Sequence, residues 1–340
     1  MININEVRIT HENLMDISML DTLKGRWPEL KEKKGGQLSL MKAQTMIASN
    51  AASNRIEGGE LRDWEVEKAI SGITMASFRK QDVDDVRGFA RAMSMISDDY
   101  ELLPFSEGTI KRFHKVMFGG DEYRKTQKPI QYLLFDKGEP VIENASPDEA
   151  PRLMRALVDE TDTLFESKNY HPLIITGVFI LHLLTINPFE YGNGRISRLM
   201  ITYLLLKSGY SYIEYYPLES IIEETRNNYL SALKRSQSSK DYNPWISYFL
   251  KTLAKLALRL EAKLERDDAF YQAQRSDDQL SPIERDILEV VRGSKALYTA
   301  ELLSSLEYKA PTVKKALREL VRKEKLRQLG IGRGTYYELM

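Results

Sequence analysis

The stretch Asn187-Pro188-Phe189-Glu190-Tyr191-Gly192-Asn193-Gly194-Arg195-Ile196-Ser197-Arg198 lies between two apolar runs with helical character, PLIITGVFILHLLTI (172–186) and ISRLMITYLLL (196–206). A Gly-Asn-Gly turn that opens a helix is a ready anion site. Its backbone N–H groups are free, glycine lets an anion approach the main chain, and the helix N-terminus carries partial positive charge. Arg195 and Arg198 are three apart, so both can face that anion from the first helical turn. The bland alternative is a corner between two helices carrying two surface arginines. A short Gly-x-Gly would not decide against it; the full run of residues does.

Outward from this stretch the chain reads as mostly helical. Leu38 to Asn54 has apolar residues at helical spacing and stops at Gly58-Gly59. Val83 to Ser97, Glu107 to Phe118, Pro147 to Phe165, Glu219 to Ser236 and Pro244 to Leu264 repeat the pattern, and Ser146-Pro147-Asp148-Glu149 has the look of a capped start. One segment departs from helix: Lys128 to Phe135 and Glu139 to Asn144 flank Asp136-Lys137-Gly138, a hairpin signal. Arg266 to Gln279 is polar with mixed charge and reads as a linker or frayed helix end.

The bulk numbers exclude several classes. The chain has 340 residues, enough for two or three domains, and carries 49 basic and 49 acidic residues, so net charge makes no polyanion binder of the whole chain. It has no cysteine, which removes disulfides and thiolate metal sites. Its four histidines (His11, His114, His171, His182) show no metal-ligand spacing. No signal peptide or membrane span is legible, and a soluble, cytoplasmic protein is expected.

The central stretch resembles the signature of the Fic (Fido-fold) family, His-Pro-Phe-x-Asp/Glu-Gly-Asn-Gly-Arg-x-x-Arg. The resemblance implies an all-α fold with a small hairpin flap, and transfer of AMP from ATP to a hydroxyl of a target protein. Phe113-His114, Tyr123-Arg124 and Asp241 to Leu250 are similar to further family elements, so the likeness covers about residues 100–250, with His114 as a framework residue. It gives the hairpin the role of a flap that aligns a target segment as an added strand, through Lys128, Ile130 and Tyr132. Gly192, Asn193, Gly194, Arg195 and Arg198 would hold the nucleotide phosphates, and Phe189 would complete the catalytic loop. Ser53-Asn54-Arg55-Ile56-Glu57-Gly58 is similar to the family's inhibitory pattern. Glu57, with Ser53 beside it, would then pair with Arg198 and displace the terminal phosphate of ATP. Without the resemblance, Glu57 is a solvated carboxylate at a helix C-terminus, where the dipole is mildly unfavourable to it. Homodimers are common among relatives with this pattern.

Two positions depart from the signature. Asn187 stands where the family has histidine, and its amide cannot accept a proton; losing a general base typically costs about 10²–10⁴ in rate. Tyr191 stands where the family has the acid that holds Mg²⁺, and a phenol is a poor ligand for that cation. Glu190 is the neighbouring carboxylate that could serve instead. His182 lies five residues before Asn187 on the preceding helix, too far to replace the base.

Past the polar segment, Ser281 to Val291, Thr299 to Leu306 and Pro311 to Lys325 read as three helices, and Leu326 to Leu339 as a glycine-turn hairpin. That order looks like a winged helix-turn-helix. Residues 310–340 carry eight Lys/Arg against three Asp/Glu, and Thr312, Lys314, Lys315 and Arg318 fall on the exposed side of the second motif helix. DNA contact is one reading; dimerisation or docking is the other. The expected divisions are 1–99 (with an inhibitory helix at about 38–57), 100–265 and 281–340. The expected function is a degenerate Fic-type protein that binds ATP or another nucleotide, with weak or absent AMP transfer held off by Glu57. The alternatives are an active adenylyltransferase, a nucleotide-responsive DNA-binding regulator, and a divergent transferase with another phosphate donor.

Overall fold

Helix-forming stretches dominate the computed structural model, which describes residues 2–73, 78–127, 144–278, 280–292, 297–306, 308–330 and 335–340. By contact the chain divides into two units, Met1–Glu261 and Ala262–Met340.

The first unit is helical. Helix α1 (His11–Lys33) opens on a reciprocal cap: the Asn13 N–H donates to Thr10 Oγ1 at 3.1 Å, and the Thr10 N–H donates to Asn13 Oδ1 at 3.2 Å. Its stripe Leu20, Leu23 and Trp27 is buried, with Trp27 tilted against Tyr215 at 5.1 Å. Helix α2 (Gly35–Ile56) is unusual in burying small and polar residues, among them Ser49, Asn50, Ala51, Ala52, Ser53 and Asn54. Small side chains let it lie close to α3 (Asp63–Ile70) and α4 (Lys80–Asp99), and Asn50 Nδ2 donates to the Val86 carbonyl of α4 at 2.7 Å. Helix α5 (Glu107–Phe118) is capped by Ser106 and ended by Gly119 in the left-handed conformation.

Helix α6 (Ala150–Ser167) begins one turn later than Ser146-Pro147 suggests. Those residues form a turn, and Pro151 takes the first-turn position. Helix α7 (Pro172–Ile186) is apolar on all sides and buried almost throughout, the pattern of a central helix. At Gly177 the following α11 crosses closely: an added Cβ would stand 2.8 Å from Ile246 Cδ1. The Trp245 indole N–H also donates to the Gly177 carbonyl at 2.7 Å. Helix α8 (Asn193–Lys207) packs beside α7, followed by a 3-10 turn at Ser211–Tyr215.

The single helix expected over Glu219 to Ser236 is broken. Helix α9 (Leu218–Glu224) ends at Thr225, whose hydroxyl donates back to the Ile221 carbonyl, and α10 (Arg226–Ser239) restarts after it. Helix α11 (Asn243–Asp278) runs through the segment expected as a linker. That segment contains no glycine or proline to stop it.

The second unit adds α12 (Pro282–Arg292), β1 (Leu297–Tyr298), α13 (Thr299–Ser305), α14 (Ala310–Arg322), β2 (Leu326–Leu329) and β3 (Tyr336–Leu339). The strands form one antiparallel sheet in the order β1-β3-β2, with Leu297 opposite Tyr337 and Leu326 opposite Leu339. Its core joins Ile287, Val291, Leu302, Val313, Leu317, Leu320, Leu326 and Tyr337. Among the described residues no helix is long and apolar enough to cross a membrane.

His182 on α7 sits inside the first unit with Nε2 3.0 Å from the Tyr242 hydroxyl. Burial lowers its pKa from 6.5 to about 4. Between those values the unfolded chain binds the extra proton, so this residue's contribution to stability is complete above about pH 6.5 and fades as pH falls through about 4. Lowering pH from about 7.5 to about 5 is expected to remove about 2 kcal/mol that His182→Gln does not lose, read from urea midpoints.

Candidate site at the α7–α8 turn

Asn187 ends α7 in the left-handed conformation (φ 51°, ψ 59°), which asparagine tolerates better than most residues. Its backbone is held at both ends. The N–H donates to the Leu183 carbonyl at 2.9 Å, and the carbonyl accepts from Arg124 Nε at 2.8 Å. Arg124, itself buried, also donates to the carbonyls of Thr126 and Ala145, and its N–H donates to the Pro188 carbonyl at 2.9 Å. Burial lowers its pKa, with Glu190 opposing. This clamp fixes where the loop starts.

Phe189 anchors the middle. Its ring is buried and stacks on His114 at 4.0 Å between centroids. His114 in turn bridges the carbonyl oxygens of Gly120 (2.5 Å) and Tyr191 (3.1 Å), a framework position. The Asn193 amide closes the loop: Oδ1 accepts from the Phe189 N–H at 2.9 Å and Nδ2 donates to the Phe189 carbonyl at 2.8 Å. Its side chain is therefore used within the turn rather than offered to a ligand.

Two glycines shape what remains. Gly192 has φ +79°, and a Cβ there would lie 2.2 Å from the Phe118 ring. Gly192→Ala is expected to cost about 2–4 kcal/mol, left-handed strain plus overlap, measured by denaturant unfolding. At Gly194 the crowding atom is a carboxylate: a Cβ would stand 2.3 Å from Glu57 Oε1. Glu57 thus lies against the first turn of α8, where the leading N–H groups have no intrahelical acceptor.

The two arginines diverge. Arg198 points to the end of α2. Its Nε donates to Ser53 Oγ at 3.1 Å, and its Nη2 donates to the Ser53 carbonyl at 3.2 Å and to Glu57 Oε1 at 2.9 Å. The guanidinium is 1 % exposed, yet Nη1 has no hydrogen-bond partner. Arg195 turns instead to α4 and pairs with Asp85 at 2.7 Å, its guanidinium 5.9 Å from the Phe118 ring centroid. The spacing that put both arginines toward one anion therefore does not hold: Asp85 captures the first. Asp85 and Arg124 are the site residues that sequence reasoning missed. Arg124 had a signal in the Tyr123-Arg124 pair; Asp85 had none.

Behind Arg198 lies Glu219, 2 % exposed, whose carboxyl is pushed up by burial while the Ser49 hydroxyl and the Arg198 charge pull it back. Burial also pushes the Tyr229 phenol up to about 12, with Arg198 opposing. Arg55, two residues before Glu57, donates from Nε and Nη2 to Glu223 at 2.6 and 2.9 Å and fastens the end of α2 to α9.

Tyr191 is 53 % exposed and rests edge-on against Phe118 at 5.2 Å. Glu190 accepts from the Thr126 hydroxyl at 2.8 Å. Neither arrangement suits a hard divalent cation, and among the described residues no group of three or more His, Cys, Asp or Glu could hold a metal. Lys128, Ile130 and Tyr132, expected as the flap, lie outside the described residues.

Residues 104–205 match the model of the Fic/DOC family. A Fic family protein from Desulfovibrio desulfuricans G20 superposes with TM-score 0.64 at 21 % identity, covering 98 % of this chain and 97 % of that one. A Fic-domain-containing signaling protein from Bacteroides thetaiotaomicron VPI-5482 gives 0.63 at 22 %, covering 72 % and 95 %. Fic-1 (aa134–508) from C. elegans gives 0.58 at 19 %, covering 75 % and 74 %. The family match thus spans residues 104–205, and the chain shares the fold of these solved Fic proteins.

Proposed function

We propose that the N-terminus of α8 is a nucleotide-phosphate site, with ATP as the first candidate ligand, closed in this state by Glu57. The observation that carries this reading is the buried Arg198 guanidinium, with one nitrogen on Glu57 and the other unpaired beside Gly194. A buried unpaired donor on a cation is costly, and a phosphate oxygen supplies the missing acceptor. Gly194 and the free N–H groups of the first turn would hold the phosphate, and Arg198 would neutralise it. Glu57 is an internal anion in the same place, so the two compete. Ser53 keeps the guanidinium aimed whichever anion is present.

The chemistry of transfer is weak or absent in this reading. Asn187 can orient an attacking hydroxyl but cannot take its proton. Tyr191, turned onto Phe118, offers no carboxylate to a cation, so no step here runs through Mg²⁺. A hydroxyl-bearing target protein would complete the family activity; in this chain it would be bound without fast modification.

Titration calorimetry with ATP tests the reading. Arg198→Ala is expected to weaken ATP binding at least about tenfold, a loss of about 1.4 kcal/mol. Equal affinity in both proteins would show that the phosphate is held elsewhere.

A further inference from the structure

We infer that the exposed face of α14 binds duplex DNA by entering the major groove. This rests on the second unit alone and is independent of the nucleotide site.

The apolar side of α14 is fully used. Val313, Ala316, Leu317 and Leu320 are buried in the core of this unit. The other side carries Thr312, Lys314, Lys315, Arg318 and Arg322, all exposed. Among the described residues Lys314, Lys315 and Arg318 make no ion pair; Arg318 bonds only the Lys314 carbonyl of its own helix. The only acid on the helix, Glu319, is half-buried and taken by Arg322 at 2.6 Å. An ordinary solvated helix face mixes signs and pairs them at i, i+3 and i, i+4. Here the first two turns are purely cationic.

Three acids of this unit lie on other elements. Asp286 and Glu289 line a cleft with Leu306 and Tyr308, and the Tyr308 hydroxyl donates to Asp286 at 2.6 Å. Glu284 is occupied by Lys323 and by the Ser281 cap. The exposed side of the first two turns of α14 thus carries cationic charge only.

The geometry fits a groove. Helix α13 precedes α14 in the chain, and Pro311 stands in the first turn of α14. Thirteen helical residues extend about 20 Å, and a helix about 10–12 Å across matches a B-DNA major groove about 12 Å wide. The deep, narrow major groove of RNA does not admit it. The order α12-β1-α13-α14-β2-β3 with sheet order β1-β3-β2 leaves β2 and β3 following the helix, with Arg327 on β2 exposed and 3.8 Å from Glu338 on β3.

The test is fluorescence anisotropy of the full chain with a labelled mixed-sequence duplex of about 30 base pairs. Three neutralised phosphates give a slope of log K against log salt of about −2.7, hence about 40-fold weaker binding at 200 mM than at 50 mM salt. Lys314→Glu, Lys315→Glu and Arg318→Glu together are expected to abolish binding, with the melting curve unchanged because all three are exposed. Reversal of Arg8, Lys31 and Lys33, exposed charges of the first unit, is expected to leave binding within about threefold, since the contact proposed is made by α14 alone. No binding at low salt, equal loss in both triple variants, or equally tight capture of polyglutamate would overturn the proposal, the last by pointing to an acidic protein partner instead.

Discussion

Glu57→Gly is expected to bind ATP about 10- to 50-fold more tightly than the parent chain. The side chain removed is a 36 % exposed carboxylate paired with a 1 % exposed guanidinium. Such a pair falls between exposed ion pairs, worth about 0–1 kcal/mol, and buried ones, whose breakage costs about 3–5. Taking about 2 kcal/mol as the strength of the internal competitor, its loss changes the apparent ligand constant by about 30-fold. The same substitution leaves Arg198 buried with only Ser53 beside it. The ligand-free variant is therefore expected to melt about 4–8 °C lower, and added ATP to restore more of its stability than in the parent. Glu57→Gln separates charge from shape. It keeps the side chain at the helix end but cannot neutralise Arg198, so its affinity should lie close to that of the glycine variant. A Glu57→Gln protein that behaves like the parent would mean that bulk, not charge, closes the site.

The second large effect concerns the chemistry. In the Glu57→Gly background, Asn187→His with Tyr191→Asp is expected to raise AMP transfer by about 10²–10⁴ over Glu57→Gly alone. The loop is prepared for this exchange. Arg124, His114 and Asn193 fix its backbone through main-chain oxygens and Phe189, none of which depends on the side chain at 187 or 191. Intact mass after incubation with ATP, Mg²⁺ and Mn²⁺ reads self-modification directly. An AMP-sized gain only in the triple variant fits a scaffold that has lost proton transfer. A comparable gain in Glu57→Gly alone would show that Asn187 suffices, and the chain would be an ordinary transferase under restraint.

Much of this site was legible in the sequence because its parts are local. The Gly-Asn-Gly turn opens α8 as expected, and α2 stops at the glycines after Glu57. The contact between Glu57 and Arg198, 141 residues apart, was available only through the resemblance. What was lost shares one cause: tertiary partners. The i, i+3 spacing puts Arg195 and Arg198 on neighbouring positions, but Asp85 on α4 decides where Arg195 goes. Helix α1 went unread because its buried stripe is a few residues in a polar helix that also contains Pro28. The break at Thr225 comes from a hydroxyl returning to the preceding turn, and β1 is two residues that become a strand only by pairing with β3. The segment after Arg266 looked like a linker by polarity, yet without a breaker the helix simply continues.

The central claim is that Glu57 and a nucleotide phosphate compete for Arg198. A double-mutant cycle tests it: ATP affinity by calorimetry for the parent, Glu57→Gln, Arg198→Ala and the combined variant. If the claim holds, Glu57→Gln tightens binding only while Arg198 is present, and the combined variant binds no better than Arg198→Ala. The same tightening in the absence of Arg198 would contradict it, because Glu57 would then act on the ligand by some route that does not pass through this guanidinium.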